Sequence, residues 1–192
     1  MAYQDDLIQH AIFLSELNIS LEPKQVDLRR AVSAAYYGLF HLLTTEAAQN
    51  WKHEGQRDRF ARMFDHGRMK ASSSKISSRP LPADSAEKPI AADLKLVADS
   101  FVKLQQARHT ADYDNSRVWS RAQVWEMITE AEDAIAAWSN IRENRWPRII
   151  CWICWGLGNC LKRPATPCVR SPPPTAACAT AGLRSAGCPP RC

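Results

Sequence analysis

The sequence predicts an all-α fold: an antiparallel bundle of four to five helices over residues 1–145, followed by a disordered tail over 146–192. Three observations carry this expectation. Apolar residues recur at spacings of three and four in one stretch after another, the period of a helix face. No stretch alternates apolar and polar residues as a half-buried strand would. And the composition changes abruptly at Trp146, beyond which there are seven cysteines, eight of the twelve prolines and no Asp or Glu.

Charge divides along the same line. The whole chain carries 25 Lys and Arg against 20 Asp and Glu, a formal +5. Six of those bases (Arg148, Lys162, Arg163, Arg170, Arg184 and Arg191) lie in the tail, which leaves 19 bases against 20 acids in the body. The body therefore gives no global signal for a polyanionic partner, and any basic patch on it must be local. A body without cysteine fits a reducing compartment, and the N-terminus reads straight into an amphipathic helix rather than a secretory signal, so a cytoplasmic protein is expected. The best apolar run, Ile149 to Leu157, is too short to span a bilayer.

The first helix is expected over Asp5–Leu17, with Leu7, Ala11 and Leu14 on one face, Ile8, Ile12 and Ser15 beside them, and Asp5 and Asp6 favoured in the first turn by the helix dipole. Pro23 suits the first position of the next helix, where its missing N–H has no partner to lose. That helix, from about Lys24 to about Asn50, is the longest. Leu28, Val32, Ala35, Leu39 and Leu43 form its apolar stripe, widened by Tyr36 and Phe40. Gly38 costs about 1 kcal/mol of helix propensity relative to Ala, so close packing against a neighbour is the expected reason for it.

Trp51–Gly55 breaks the pattern. A third helix is expected from Gln56 to about Ala71 on Phe60, Met63 and Phe64, with Arg57, Arg59, Arg62 and Arg68 around them. Ser72–Pro89 has no periodicity and reads as a mobile Ser/Pro-rich loop. A fourth helix follows from Ile90 to about Ala111 on Leu94, Val97, Phe101 and Leu104. Ser116 or Ser120 can cap the last helix, whose seam is Val124, Ile128, Ala131, Ile135 and Trp138 and which runs to about Ile141. In the tail, Cys151 and Cys154 form one C-x-x-C, but no second pair at matching spacing and no histidine completes a zinc site, so no metal is expected there. A disordered extension and an altered reading frame both account for the composition of the tail.

One feature of the long helix is not explained by a core. Arg30, Ser33, Tyr37 and His41 recur at three and four and line up beside the apolar stripe. Such a row reads either as a polar network that fixes helix register or as one wall of a site facing Arg108 and Asp112; an Asp112–Arg30 or Asp112–His41 pair would serve both. For Arg108, Asp112 and Tyr113 the plain alternative is a capped helix end with an internal salt bridge. His66 beside Asp65 reads as a surface pair near a helix C-terminus, where the dipole favours a cation.

With Arg29-Arg30-Ala-Val-Ser33-Ala-Ala-Tyr36-Tyr37-Gly-Leu-Phe40-His41 and Arg108-His-Thr-Ala-Asp112-Tyr113-Asp114, the chain resembles the HEPN superfamily over about residues 1–141. Asp65-His66-Gly67 followed by Met69-Lys70 is also similar to small single-domain members. The resemblance implies a helical bundle that forms homodimers and is connected to RNA. Many members are metal-independent ribonucleases acting as toxins beside a nucleotidyltransferase antitoxin; others are inactive partners or binding modules. No cofactor is implied. Active members carry an Arg, usually followed by a polar residue, and then a His after four to six residues on one helix: the His moves a proton at the ribose 2′-OH or the leaving oxygen, and the Arg stabilises charge on the phosphate.

Here Arg108 and the polar His109 are in place, but Asp112 and Tyr113 stand where that histidine is sought. A carboxylate of ordinary pKa is a poor proton donor at pH 7 and repels phosphate. Arg59 and His66 match the spacing only arithmetically. The resemblance thus gives Arg108, His109, Asp112 and Tyr113 as the candidate catalytic set, with Arg30, Ser33, Tyr37, His41 and His66 in support. Two functions are expected from it: a non-catalytic module that binds RNA or a partner protein in a toxin–antitoxin or defence-type system, favoured by the missing histidine, or a metal-independent RNA endonuclease toxin using Arg108 and a nearby histidine.

Overall fold

The structure, a computed structural model, describes residues 2–17, 22–51, 53–80 and 88–143. The tail, with its C-x-x-C, and the middle of the Ser/Pro-rich connection lie outside the described residues. Six α-helices are described: α1 (Tyr3–Glu16), α2 (Gln25–Gln49), α3 (Arg57–Ala61, preceded by a single 3-10 turn at Glu54–Gln56), α4 (His66–Ser77), α5 (Lys88–Tyr113) and α6 (Arg121–Glu143). Among the described residues there is no strand.

Four long helices make the bundle, and their directions follow from which residues meet. Gly38 of α2 packs on Ile8 and His41 on Tyr3, so α1 and α2 run antiparallel. Ser33 meets Asp112, Tyr37 meets Arg108 and Tyr36 meets Phe101, so α2 and α5 are antiparallel as well. At the two ends of α2, Gln25 meets Trp119 and Glu46 meets Arg142, which sets α6 parallel to α2. The core is one cluster in which Leu28, Val32, Tyr36, Leu39 and Leu43 of α2 meet Val97, Phe101 and Leu104 of α5 and Val124, Ile128 and Ile141 of α6. The predicted stripes of α2 and of the last helix are therefore the buried ones, with Trp138 in the core and Ile135 only half-buried. In α1 the buried ridge is Ile8, Ala11 and Ser15, one step round from the expected Leu7–Ala11–Leu14 face.

Two expectations need correction. The third helix is not continuous from Gln56 to Ala71: α3 stops at Ala61, and Asp65 starts α4 by accepting the Arg68 N–H on its side chain at 2.9 Å, an N-cap bond. Nor is Ser72 the start of a loop, since α4 continues to Ser77. Ser72, Ser73 and Ile76 are buried against the core, and the exposed Ser74 returns its hydroxyl to the Lys70 carbonyl at 3.0 Å. Three consecutive serines weaken a helix in isolation; burial of one face outweighs that weak preference. At the far end α5 begins at Lys88, and Pro89 is tolerated in its first turn because no intrahelical donor is needed there.

The helix starts also differ in detail. Lys24 occupies the cap position of α2, so Pro23 lies just outside the helix rather than at its first position. Gln25 then ties α2 to the start of α6: its side-chain amide donates to the Trp119 carbonyl and accepts from the Trp119 N–H, both at 2.8 Å. Of the two serines considered for the last helix, Ser120 is the cap. Its hydroxyl accepts from the Gln123 N–H at 3.3 Å and Gln123 Oε1 accepts from the Ser120 N–H at 3.2 Å, a reciprocal capping box.

Candidate functional site

The polar side chains gather where α2, α4 and α5 meet. Asp112 and Arg108 are four apart on α5 and so share a face. Arg108 Nε lies 2.7 Å from Asp112 Oδ2, with the two side chains 17 % and 21 % exposed. From α2, the Ser33 hydroxyl donates to Asp112 Oδ1 at 2.7 Å, and Tyr37 OH accepts from Arg108 Nη2 at 3.0 Å. The guanidinium carbon also stands 5.6 Å from the centre of the Tyr37 ring and 5.8 Å from that of Tyr113. Burial works against the Arg108 charge, but Tyr37 and Asp112 together outweigh it and hold its pKa above the ordinary value. Ser33, Tyr37, Arg108 and Asp112 thus form one continuous network.

A second contact adjoins it. Tyr36 is fully buried, and its hydroxyl lies 2.6 Å from His66 Nδ1. Burial pushes the Tyr36 pKa well above the ordinary tyrosine value, against the pull of Arg108, so the hydroxyl keeps its proton. His66 is the first residue of α4, after the Asp65 cap, and not near a helix C-terminus. There the helix dipole disfavours a cation. Its pKa is held below the ordinary histidine value, chiefly by burial and then by Arg108, with Asp65 pulling the other way. The ring sits 4.3 Å from Phe40 and 6.0 Å from Tyr37, centre to centre.

The expected supporting row divides. Ser33 and Tyr37 reach α5. His41 turns to α1, its ring 5.0 Å from Tyr3, and burial lowers its pKa. Arg30 is exposed and makes no ion pair among the described residues. Neither Arg30 nor His41 pairs with Asp112, whose two carboxylate oxygens meet Arg108 and Ser33. On α5, His109 is exposed and packs its ring 5.0 Å from the exposed Tyr113 ring, the same ring that the Arg108 guanidinium approaches to 5.8 Å.

Two residues with structural work were not singled out from the sequence. Arg29, not its neighbour Arg30, fastens α2 to the turn after α5: Nη1 donates to the carbonyls of Ala111 at 2.8 Å and Asp114 at 2.9 Å, and Nη2 to that of Arg117 at 2.6 Å. Tyr36 was hidden inside the apolar stripe, and nothing in the spacing announces a hydroxyl partner thirty residues away. Asp65 ahead of a helical run was a legible cap signal.

Chemically, the cluster holds one guanidinium already engaged by a carboxylate and one neutral imidazole already engaged by a phenol. Among the described residues no three His, Cys, Asp or Glu side chains converge to hold a metal ion. A shallow groove of about 460 Å³ runs along α5 and the following turn, lined by Lys103, Gln106, Ala107, Thr110, Asp114, Arg117 and Trp119; its lining includes neither Arg108 nor a histidine. No protein-family model matches the chain, and neither a curated protein nor a solved structure does.

Proposed function

We propose that this chain is a non-catalytic binding module of the HEPN type, taking RNA or a partner protein in a toxin–antitoxin or defence-type setting. In this reading it acts in the cytoplasm, as a homodimer or beside a nucleotidyltransferase-type antitoxin. The setting rests on the sequence resemblance; the absence of catalysis is supported by the engagement of Arg108. Its Nε lies 2.7 Å from a carboxylate and its Nη2 is 3.0 Å from Tyr37 OH. A guanidinium that stabilises a phosphate in a transition state needs free donors aimed at it. A carboxylate at this distance offsets the charge that would attract the phosphate.

One arrangement favours the metal-independent endonuclease instead. His66 and Arg108 both stand within about 6 Å of the Tyr37 ring, at 6.0 Å from ring centre to ring centre and at 5.6 Å from the guanidinium carbon. A histidine with a lowered pKa is neutral at pH 7 and able to accept a proton from a ribose 2′-OH. In that reading Asp112 releases Arg108 when RNA binds.

The two are separated by incubating the full chain with labelled RNAs in the presence of a metal chelator. The binding-module reading expects no cleavage and no growth arrest on expression. Cleavage by the wild-type protein that is lost in both Arg108→Ala and His66→Ala overturns it.

A further inference from the structure

We infer that the surface formed by α3 and the outer face of α4 docks the phosphodiester backbone of a nucleic acid. The inference deepens the binding-module reading proposed above and rests on it.

The observation is a concentration of charge. From Arg57 to Arg79 there are seven Lys and Arg against only Asp58 and Asp65, an excess of five bases. The body over residues 1–145 as a whole carries 19 bases and 20 acids, so everything outside this segment has six more acids than bases. Isolated surface arginines are ordinary and merely solvated. A body that is acidic elsewhere and gathers its positive charge in one stretch of twenty-three residues is polarised.

The structure leaves five of the seven exposed, while Arg57 pairs with Glu54 and Lys70 donates to Gln106 Oε1. Arg59 and Arg62, three apart at the end of α3, are exposed, and so is Arg68 in the first turn of α4. None of the three makes an ion pair among the described residues. Arg62 and Arg68 are six residues apart, so their Cα atoms are at most about 20 Å from each other. The buried side of α4 is Met69, Ser72, Ser73 and Ile76. Lys75 lies seven residues beyond Arg68, two turns along the same exposed stripe, and the exposed Arg79 follows just past the helix end.

The composition selects the partner. Five of the seven bases are arginine, whose planar fork matches phosphate oxygens and sheds water more readily than an ammonium does. Over residues 57–79, Met63 is the one large hydrophobic exposed, at 59 %. An interface with a folded protein needs an apolar core, and this surface lacks one. A repeating, water-accessible anion requires none.

The test is fluorescence polarisation with the full chain and labelled single-stranded RNA, single-stranded DNA and duplex DNA of roughly 20 nucleotides, over a range of salt. The wild-type protein is expected to bind, with affinity falling as salt rises. Arg59→Gln/Arg62→Gln/Arg68→Gln is expected to bind at least about tenfold more weakly, with a salt slope smaller by roughly two. The corresponding triple Arg→Lys variant, which keeps the charge, retains the slope, and melting by circular dichroism shows whether each variant is folded. The RNA and DNA arms identify the preferred backbone.

No binding by the wild-type chain overturns the inference. Unchanged affinity in a folded triple Gln variant also overturns it, since the basic tail is identical in both proteins. Polyglutamate bound as tightly as RNA, with the same dependence on these arginines, replaces the phosphate partner by an acidic protein. Cleavage of the RNA probe refutes the non-catalytic reading while leaving the docking surface standing.

Discussion

Ser33 on α2 donates its hydroxyl proton to Asp112 Oδ1 on α5 at 2.7 Å, across seventy-nine residues of chain. The other carboxylate oxygen is occupied by Arg108, so a single acid joins two helices and anchors the guanidinium. Hydrogen bonds to a charged group contribute roughly 1.5–3 kcal/mol when their surroundings are partly dry. Ser33→Ala is expected to destabilise the fold by about 1.5 kcal/mol in urea denaturation. In a double-mutant cycle with Asp112→Ala the coupling should be about 1 kcal/mol. Additive losses would show that this hydrogen bond contributes nothing measurable to stability.

Stability should depend on pH through the histidines. His66 and His41 both have pKa values below the ordinary histidine value in the folded protein, His66 through burial and then Arg108, His41 through burial. The unfolded chain therefore binds more protons than the folded one as pH falls, and stability rises with pH in that window. Full stability is expected above the unfolded histidine value of about 6.5, with progressive loss as pH drops through the folded values. Urea midpoints measured from neutral to mildly acidic pH check the sign. His66→Gln should flatten the profile, and a profile that is equally steep without His66 would contradict its assigned part.

Gly38 is held to glycine by a neighbour rather than by its backbone. A Cβ at that position would come within 2.8 Å of Ile8 Cδ1 and 3.1 Å of Ile8 Cγ1. The helix gains about 1 kcal/mol from Gly→Ala, but overpacking a tight contact costs roughly 1–3 kcal/mol. Gly38→Ala alone is expected to lower stability by about 1 kcal/mol. Combined with Ile8→Val, which removes Cδ1, it should lower stability no further and can raise it. Thermal melts of the two singles and the double decide the point.

Arg29 acts as a clasp on the turn between α5 and α6, bonding three carbonyls within 2.9 Å. A lysine carries charge but not the fork that reaches all three. Arg29→Lys is expected to cost about 2 kcal/mol. Amide exchange should quicken at Asp114 and Ser116, whose N–H groups bond to Thr110 O and Asp114 Oδ1 within that turn. Exchange unchanged at both amides would mean that the turn holds without the clasp.

Much of the bundle was legible because its signal is local and repetitive. Val97, Phe101 and Leu104 on α5, and Val124, Ile128 and Ala131 on α6, recur with the helical period and are all buried. The run from Gln56 to Ala71 looks continuous by composition and reads as one helix, while the break between α3 and α4 depends on one side chain, Asp65, accepting from the Arg68 N–H. The Ser72–Ser74 stretch reads as loop by propensity and becomes helix by burial.

For the site, the spacing placed Ser33 and Tyr37 on one stripe of α2 and Arg108 and Asp112 on one face of α5. That these two faces meet, and that Arg30 and His41 do not join them, depends on the rotation of each helix about its axis. The residues of a single helix cannot fix that rotation, which follows from how several apolar faces close on each other.

By itself, the sequence determined the class of the fold, the helices that carry the core and the residues able to bear charge, because each of these follows from periodicity and side-chain chemistry within one element. The tertiary structure alone decided that Ser33 meets Asp112, that Tyr36 meets His66, and that Arg59, Arg62 and Arg68 stand outward without an ion-pair partner among the described residues. The physical reason is that a hydrogen bond or ion pair is made or withheld by distances of a few tenths of an ångström between different helices. Those distances are set by packing of the whole bundle.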